Sequence, residues 1–228
     1  MSDIGLSLNL DSLNVLRMDE ELSALAAGGA PELYCAVSDG VFAPLMGHGP
    51  YLIRSIAERG GDCPLHVHLL CENPDAHIGL FAEMGLQALT VHAEPVTHIH
   101  RTLTRIREVG LEAGVALKPG VPLTRLEYVL EYADRIVVLA AEPGFPQSPL
   151  GGGTYDRVRI LRQNLDYLKL NASIEVLGPV SPLEAARFAH LGAHRVCVDL
   201  SAQDGAYSTA VEGLQRFREE LERQMPVA

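Results

Sequence analysis

Short runs of β-branched and aliphatic residues alternate along the whole chain with longer stretches whose apolar residues recur at helical spacing. The short runs predict strands over about Gly5–Leu10, Glu32–Val37, Pro64–Leu70, Ala88–Ala93, Gly114–Lys118, Arg135–Ala140, Ser173–Leu177 and His194–Leu200. The stretches between them predict amphipathic helices. Ile99, Leu103, Ile106 and Val109 form one such stripe, and Val211, Leu214, Phe217 and Leu221 another. Boundary residues agree with this reading. Asn73-Pro74 and Ser181-Pro182 each offer an N-cap followed by Pro at the first helical position, and Gly85, Gly110 and Gly192 suit helix C-termini.

Alternating strand and helix predicts a parallel sheet, because a right-handed crossover returns each strand beside its predecessor. A chain of 228 residues with 47% hydrophobic composition can bury one sizeable core. Eight strand–helix units in that length predict a single (β/α)₈ TIM-barrel domain over residues 1–228. A doubly wound sheet would want a Gly-rich turn after the first strand, and none follows it. The Gly151-Gly152-Gly153 run reads as a mobile active-site loop rather than a domain boundary.

Charge and cysteine usage narrow the class. A formal charge of −11 without a basic cluster argues against nucleic-acid binding. No apolar run approaches the roughly 20 residues of a membrane span, and no signal-peptide pattern opens the chain. Cys35, Cys63, Cys71 and Cys197 are scattered, with no CxxC pair. A soluble, cytoplasmic protein is expected.

Motifs at the predicted strand ends carry a family resemblance. They include Tyr34-Cys35-Ala36-Val37-Ser38-Asp39-Gly40, Leu65-His66-Val67-His68 and Thr90-Val91-His92-Ala93-Glu94. Gly114 to Leu123, Glu142-Pro143-Gly144-Phe145 and Ile174-Glu175-Val176-Leu177-Gly178 continue the series. In this order they resemble the ribulose-phosphate 3-epimerase family, from about Ser7 to Ala202. The resemblance implies a ribulose-phosphate-binding barrel, isomerase-type chemistry on carbohydrates, a small sugar-phosphate-like ligand and a homo-oligomer. It also implies one divalent metal held by two His and two Asp, with the two Asp acting as acid and base.

Here the pattern departs from the family. Of the four ligand positions His68 remains, while the others read Tyr34, Ala36 and Leu177. A lone imidazole cannot hold a catalytic metal, and Ala and Leu cannot move protons, so the usual metal-dependent site is expected to be lost. Ser38, Leu70 and Leu139 stand at the positions of three substrate-capping Met residues, and Leu10 stands for a substrate-binding Ser. In the phosphate cradle Gly178 and Ser201 remain, but Pro179 and Leu200 replace glycines, and Phe145-Pro146-Gln147 replaces F-G-G-Q.

What could act instead has two readings throughout. Catalytic candidates are His68, Asp39, Glu175 and Asp199. His66 shares the face of His68, and His92 shares that of Glu94, so these groups form either a relocated metal site or a buried hydrogen-bonded set. Lys118 is either a desolvated base or a lysine paired with Glu94 or Glu142. Tyr34 is expected to fill the vacated ligand cavity, its hydroxyl bonding to His68 or Asp39. Tyr34, Ser38, His48, His66, His92, Lys118, Gly144, Gly178 and Ser201 are the expected ligand contacts. The alternative to an enzyme is a non-catalytic barrel that binds a metabolite or a partner, a pseudoenzyme.

Overall fold

The structure is a computed structural model that describes residues 4–29, 31–59, 63–145, 148–203 and 207–225. Eight parallel strands close into a barrel in sequence order: β1 (Gly5–Asn9), β2 (Glu32–Ser38), β3 (Leu65–Leu70), β4 (Ala88–His92), β5 (Glu112–Leu117), β6 (Arg135–Leu139), β7 (Ser173–Leu177) and β8 (Arg195–Val198). Around them lie α1 (Met18–Ala27), α2 (Pro50–Arg59), α3 (Ile78–Ala82), α4 (Ile99–Glu108), α5 (Thr154–Leu168), α6 (Pro182–His190) and α7 (Ala210–Gln224). None of these helices is long and apolar enough to cross a membrane.

Most of the expected stripes face the barrel, while Val109 lies past the end of α4 and is exposed. Leu103 and Ile106 of α4, and Leu214, Phe217 and Leu221 of α7, are buried in the layer between helices and strands. Ser181 caps α6 in a full capping box with Glu184, so two otherwise unpaired N–H groups find partners. The run Gly151 to Gly153 forms a turn into α5, tied down where the Gly151 N–H donates to the Ala140 carbonyl.

Two connections differ from expectation. Asn73-Pro74 opens a 3₁₀ turn, Pro74–Ala76, and the Asn73 side chain makes no cap bond. Between β5 and β6 two 3₁₀ turns, Leu123–Leu126 and Leu130–Tyr132, replace a helix. Pro119 and Pro122 lack N–H donors at the start of that short connection, where tight turns cross the gap with less chain.

Strand alternation sorts the barrel into two environments. Outward residues such as Leu8, Leu33, Val67, Leu89, Val115, Val138, Val176 and Val196 pack under the helices. Inward positions hold buried polar groups: Ser7, Glu32, His66, His68, Thr90, His92, Arg135 and Glu175. A small apolar patch of Ala116, Val137 and Leu139, with Leu177 against it, completes the interior. A barrel interior is usually filled by bulky aliphatics, so this polar lining must be satisfied internally.

Candidate functional site

At the floor of the barrel the buried Arg135 guanidinium, on the first residue of β6, supplies the cation that the interior needs. It donates to Glu32 Oε2 at 2.9 Å, Glu112 Oε2 at 2.8 Å and Glu175 Oε2 at 3.2 Å. Glu175 also accepts from the Ser7 hydroxyl at 2.7 Å, and His66 Nδ1 lies 3.2 Å from it. Burial pushes the Glu175 carboxyl up, but the charge and hydrogen bond of His66, with Arg135 and Ser7, outweigh it and hold this group far below the usual carboxylate range. His66 Nε2 lies 2.7 Å from the Thr90 hydroxyl, so both its ring nitrogens have partners. Glu32, His66 and Glu175 lie close enough to share a cation. The guanidinium already fills that role.

One level higher, His68 and His92 stack with ring centroids 4.9 Å apart and planes 11° from parallel. The Tyr34 hydroxyl lies 2.8 Å from His68 Nδ1, and Glu94 Oε2 lies 3.1 Å from His92 Nδ1. The Nε2 atoms of both rings are buried and find no partner among the described residues. Burial, reinforced by the neighbouring imidazoles, holds His68 well below its ordinary value. Burial lowers His92 as well, against the opposing pull of Glu94. Both rings are therefore neutral at neutral pH. Phe42 covers His92 at 4.7 Å, and the Lys118 ammonium sits 3.8 Å from the Phe42 ring centroid. Glu94 accepts from the Lys118 backbone N–H at 2.6 Å rather than from its ammonium, which donates to the Phe42 carbonyl at 3.4 Å.

Above this level a cavity of about 460 Å³ opens at the C-terminal ends of the strands. Tyr34, Ala36 and Leu177 lie at its base, with Leu70 and Leu139 beside them. The loop side chain of His48 reaches in, its Nε2 2.8 Å from Asp11 Oδ1. That hydrogen bond is the main reason the Asp11 carboxyl is lowered. Asn9 Nδ2 donates to Asp199 Oδ2 at 3.2 Å, and Asp199 Oδ1 accepts from both the backbone N–H (3.0 Å) and hydroxyl (2.6 Å) of Ser201. Gly144 and Gly178 line the same cavity with φ of 85° and 144°. A side chain at Gly144 would meet Pro44 Cδ at 3.0 Å, so glycine lets this loop close against the β2 loop.

The expected residues thus divide by depth. His48, Asp199, Ser201, Tyr34, Gly144 and Gly178 line the mouth cavity, while His66 and Glu175 lie in the floor network. Asp39 is outside the cavity lining and organises a loop: it accepts from the N–H groups of Val41, Phe42 and Glu72 at 2.8–2.9 Å. Ser38 donates to the Leu45 carbonyl at 2.5 Å, which ties the same loop. Pro146 and Gln147 lie outside the described residues. Asn9, Asp11 and Arg135 escaped the sequence reading. The signal for Asn9 was its i, i+2 relation to Ser7 on β1, which puts both on the inner face.

The family metal does not fit these residues. Ala36 and Leu177 offer no donor atom. Tyr34 bonds to His68 and, with burial pushing its phenol well above the ordinary value, keeps its proton. Among the four ligand positions one free imidazole nitrogen remains, far short of the donor set that a divalent ion needs.

Comparisons with known proteins agree with the fold and the strand-end motifs. A sequence profile of the ribulose-phosphate 3 epimerase family matches residues 5–202. Ribulose-phosphate 3-epimerase of Aquifex aeolicus is 36% identical over 179 residues, 78% of this chain and 80% of that protein. The chloroplastic ribulose-5-phosphate-3-epimerase of Arabidopsis thaliana is 32% identical over 218 residues, 94% of this chain and 77% of that protein. Among solved structures, phosphoribosyl anthranilate isomerase from Thermus thermophilus superposes with a TM-score of 0.64 at 15% identity, covering 96% of this chain and 99% of that one. A tryptophan synthase α-subunit from Pyrococcus furiosus gives 0.65 at 16% identity, covering 97% and 96%. At those identities the structural likeness speaks for the barrel alone.

Proposed function

The chain belongs to the ribulose-phosphate 3-epimerase family, and from that premise we propose that it is a divergent carbohydrate epimerase-type barrel working without the metal-and-two-aspartate route. The observation that carries this reading is the 2.8 Å contact between the Tyr34 hydroxyl and His68 Nδ1. It fills the place where a metal would have to sit, and Ala36 and Leu177 beside it carry no acid or base. The mouth nevertheless keeps a cavity of about 460 Å³, within the range of small-molecule sites. Its lining carries the titratable side chains of His48, Asp11, Glu142 and Asp199.

A second reading is a barrel that binds a small carbohydrate and does not turn it over. The pairing of the lining groups favours it: Asp11 is held by His48, and Asp199 by Asn9 and Ser201. One experiment separates the two. The protein is incubated in heavy water with D-ribulose or D-ribulose 5-phosphate, with and without zinc, iron or manganese, and deuterium at C3 is followed by NMR. The expected result is no stimulation by metal. Metal-stimulated turnover within the usual enzymatic range of about 1–10³ s⁻¹ would overturn the proposal. Metal-independent exchange above the protein-free control supports the epimerase reading, and its absence with saturable binding supports the second.

A further inference from the structure

In a (β/α)₈ barrel a phosphate group is frequently held where the loops after the seventh and eighth strands meet the start of a short extra helix. This chain has that short helix, the 3₁₀ turn Leu200–Ala202 directly after β8. The Leu200, Ser201 and Val180 donors there are already used. Asp199 caps the turn, its Oδ1 accepting from the Ser201 backbone N–H at 3.0 Å and from the Ser201 hydroxyl at 2.6 Å. The Leu200 N–H donates to the Ser12 hydroxyl at 2.9 Å. After β7, Pro179 supplies no N–H, and the Val180 N–H donates to the Gly178 carbonyl at 2.8 Å. From the β1 side Asn9 fixes the other Asp199 oxygen at 3.2 Å. A carboxylate of the chain itself thus sits where the anion of a ligand would be received.

The charge around the cavity agrees. Its described lining includes the carboxylates Asp11, Glu142 and Asp199 and no Lys or Arg. The one imidazole in that lining, His48, is paired with Asp11. A phosphate monoester would enter a wall of like charge and find the Ser201 donors taken, whereas a hydroxyl group can both donate to a carboxylate and accept from Asn9.

We propose that Asp199 is a specificity-determining residue, an internal anion that occupies the phosphate subsite, so that the mouth takes an unphosphorylated, hydroxyl-rich carbohydrate and rejects its phosphate monoester. This rests on the carbohydrate reading above and names the ligand class for the same cavity.

Titration calorimetry or ligand-observed NMR on the full-length protein tests it, with D-ribulose, D-ribulose 5-phosphate and inorganic phosphate as probes. The unaltered protein is expected to bind D-ribulose at least about tenfold more tightly than the phosphate ester, as one uncompensated like-charge contact implies. It should give no signal with inorganic phosphate. Asp199→Ala frees both Ser201 donors and removes the charge. It should tighten the ester by about tenfold or more while D-ribulose affinity moves by less than about threefold. Asp199→Asn, which keeps the shape, should move the ester in the same direction by less, and serves if circular dichroism shows the Ala variant unfolded. An unaltered protein that prefers the ester, or a folded Asp199→Ala variant with unchanged ester affinity, overturns the assignment and leaves the carbohydrate reading standing. Binding of neither sugar by either protein would instead remove the carbohydrate reading, and this assignment with it.

Discussion

His68 is sealed from solvent near the barrel axis, with one ring nitrogen on Tyr34 and the other finding no partner among the described residues. A buried imidazole that kept neither contact would bear a larger desolvation cost, and this makes the Tyr34 hydroxyl a structural group. Tyr34→Phe is therefore expected to lower unfolding free energy by about 1–3 kcal/mol, the usual cost of orphaning a buried polar atom. Urea denaturation should show a lower midpoint with an unchanged slope. The double variant Tyr34→Phe/His68→Leu should cost clearly less than the sum of its parts, because with both side chains apolar no imidazole nitrogen or phenol is left stranded. Additive losses would mean the hydroxyl serves something other than His68. The sequence left two partners open for Tyr34, His68 and Asp39, and strand register decides between them: Ala36 pairs with His68, which brings Tyr34 within reach from the inner face. Asp39 instead spends its oxygens on three loop N–H groups, an arrangement set by the loop's path and so hidden from strand periodicity.

At the scale of the element, alternation located the strands well because the outward set is apolar throughout. Glu32 and Arg135 open β2 and β6 as expected, but the start of β5 was missed. β5 begins at Glu112, two residues before the expected start, and its Gly114 has a packing reason invisible in the sequence. A Cβ on Gly114 would lie 2.8 Å from Thr90 Cβ and 3.0 Å from Thr90 Cα on the adjacent strand β4. The Thr90 hydroxyl is the partner of His66 Nε2, so the side chain cannot turn aside without breaking that bond. Gly114→Ala is expected to destabilise by about 1–3 kcal/mol through overpacking. Thr90→Ala in the same chain should recover part of the loss, read as a non-additive pair in denaturation experiments. An unchanged midpoint for Gly114→Ala would show that β4 and β5 separate easily, against the tight register seen here.

Arg135 could not be read from sequence for a reason that belongs to the whole molecule. A charged residue at a strand start looks like a boundary, and its partners Glu32 and Glu175 lie 103 and 40 residues away in the chain. Closing the barrel brings them together, and it also fixes how the fold responds to acid. His68 and His92 have folded-state values below the ordinary 6.5. An unfolded chain therefore binds protons there that the folded one does not, and stability falls as pH drops below about 6.5. Glu175, like Glu94 and Asp39, is also depressed in the folded state. Its contribution is complete above its ordinary 4.5 and is lost as pH falls from there toward the depressed value. Unfolding free energy measured by urea titration from pH 8 to pH 3 should therefore decline in two stages, a first below about 6.5 and a steeper one below about 4.5. His92→Phe should shrink the first stage, leaving the part due to His68, and should trim the second only by the Glu94 share that His92 supports. Arg135→Met should lose about 3–5 kcal/mol at neutral pH by stranding buried carboxylates. Its second stage should then shrink, because without the guanidinium those carboxyls take up protons at higher pH and gain stability by doing so. A single acid transition shared by all three proteins would show that the barrel interior does not govern the response. The same polar interior is satisfied from within, by the floor ion network and the Tyr34–His68 contact, so side chains at the mouth above them can be exchanged without undoing the fold.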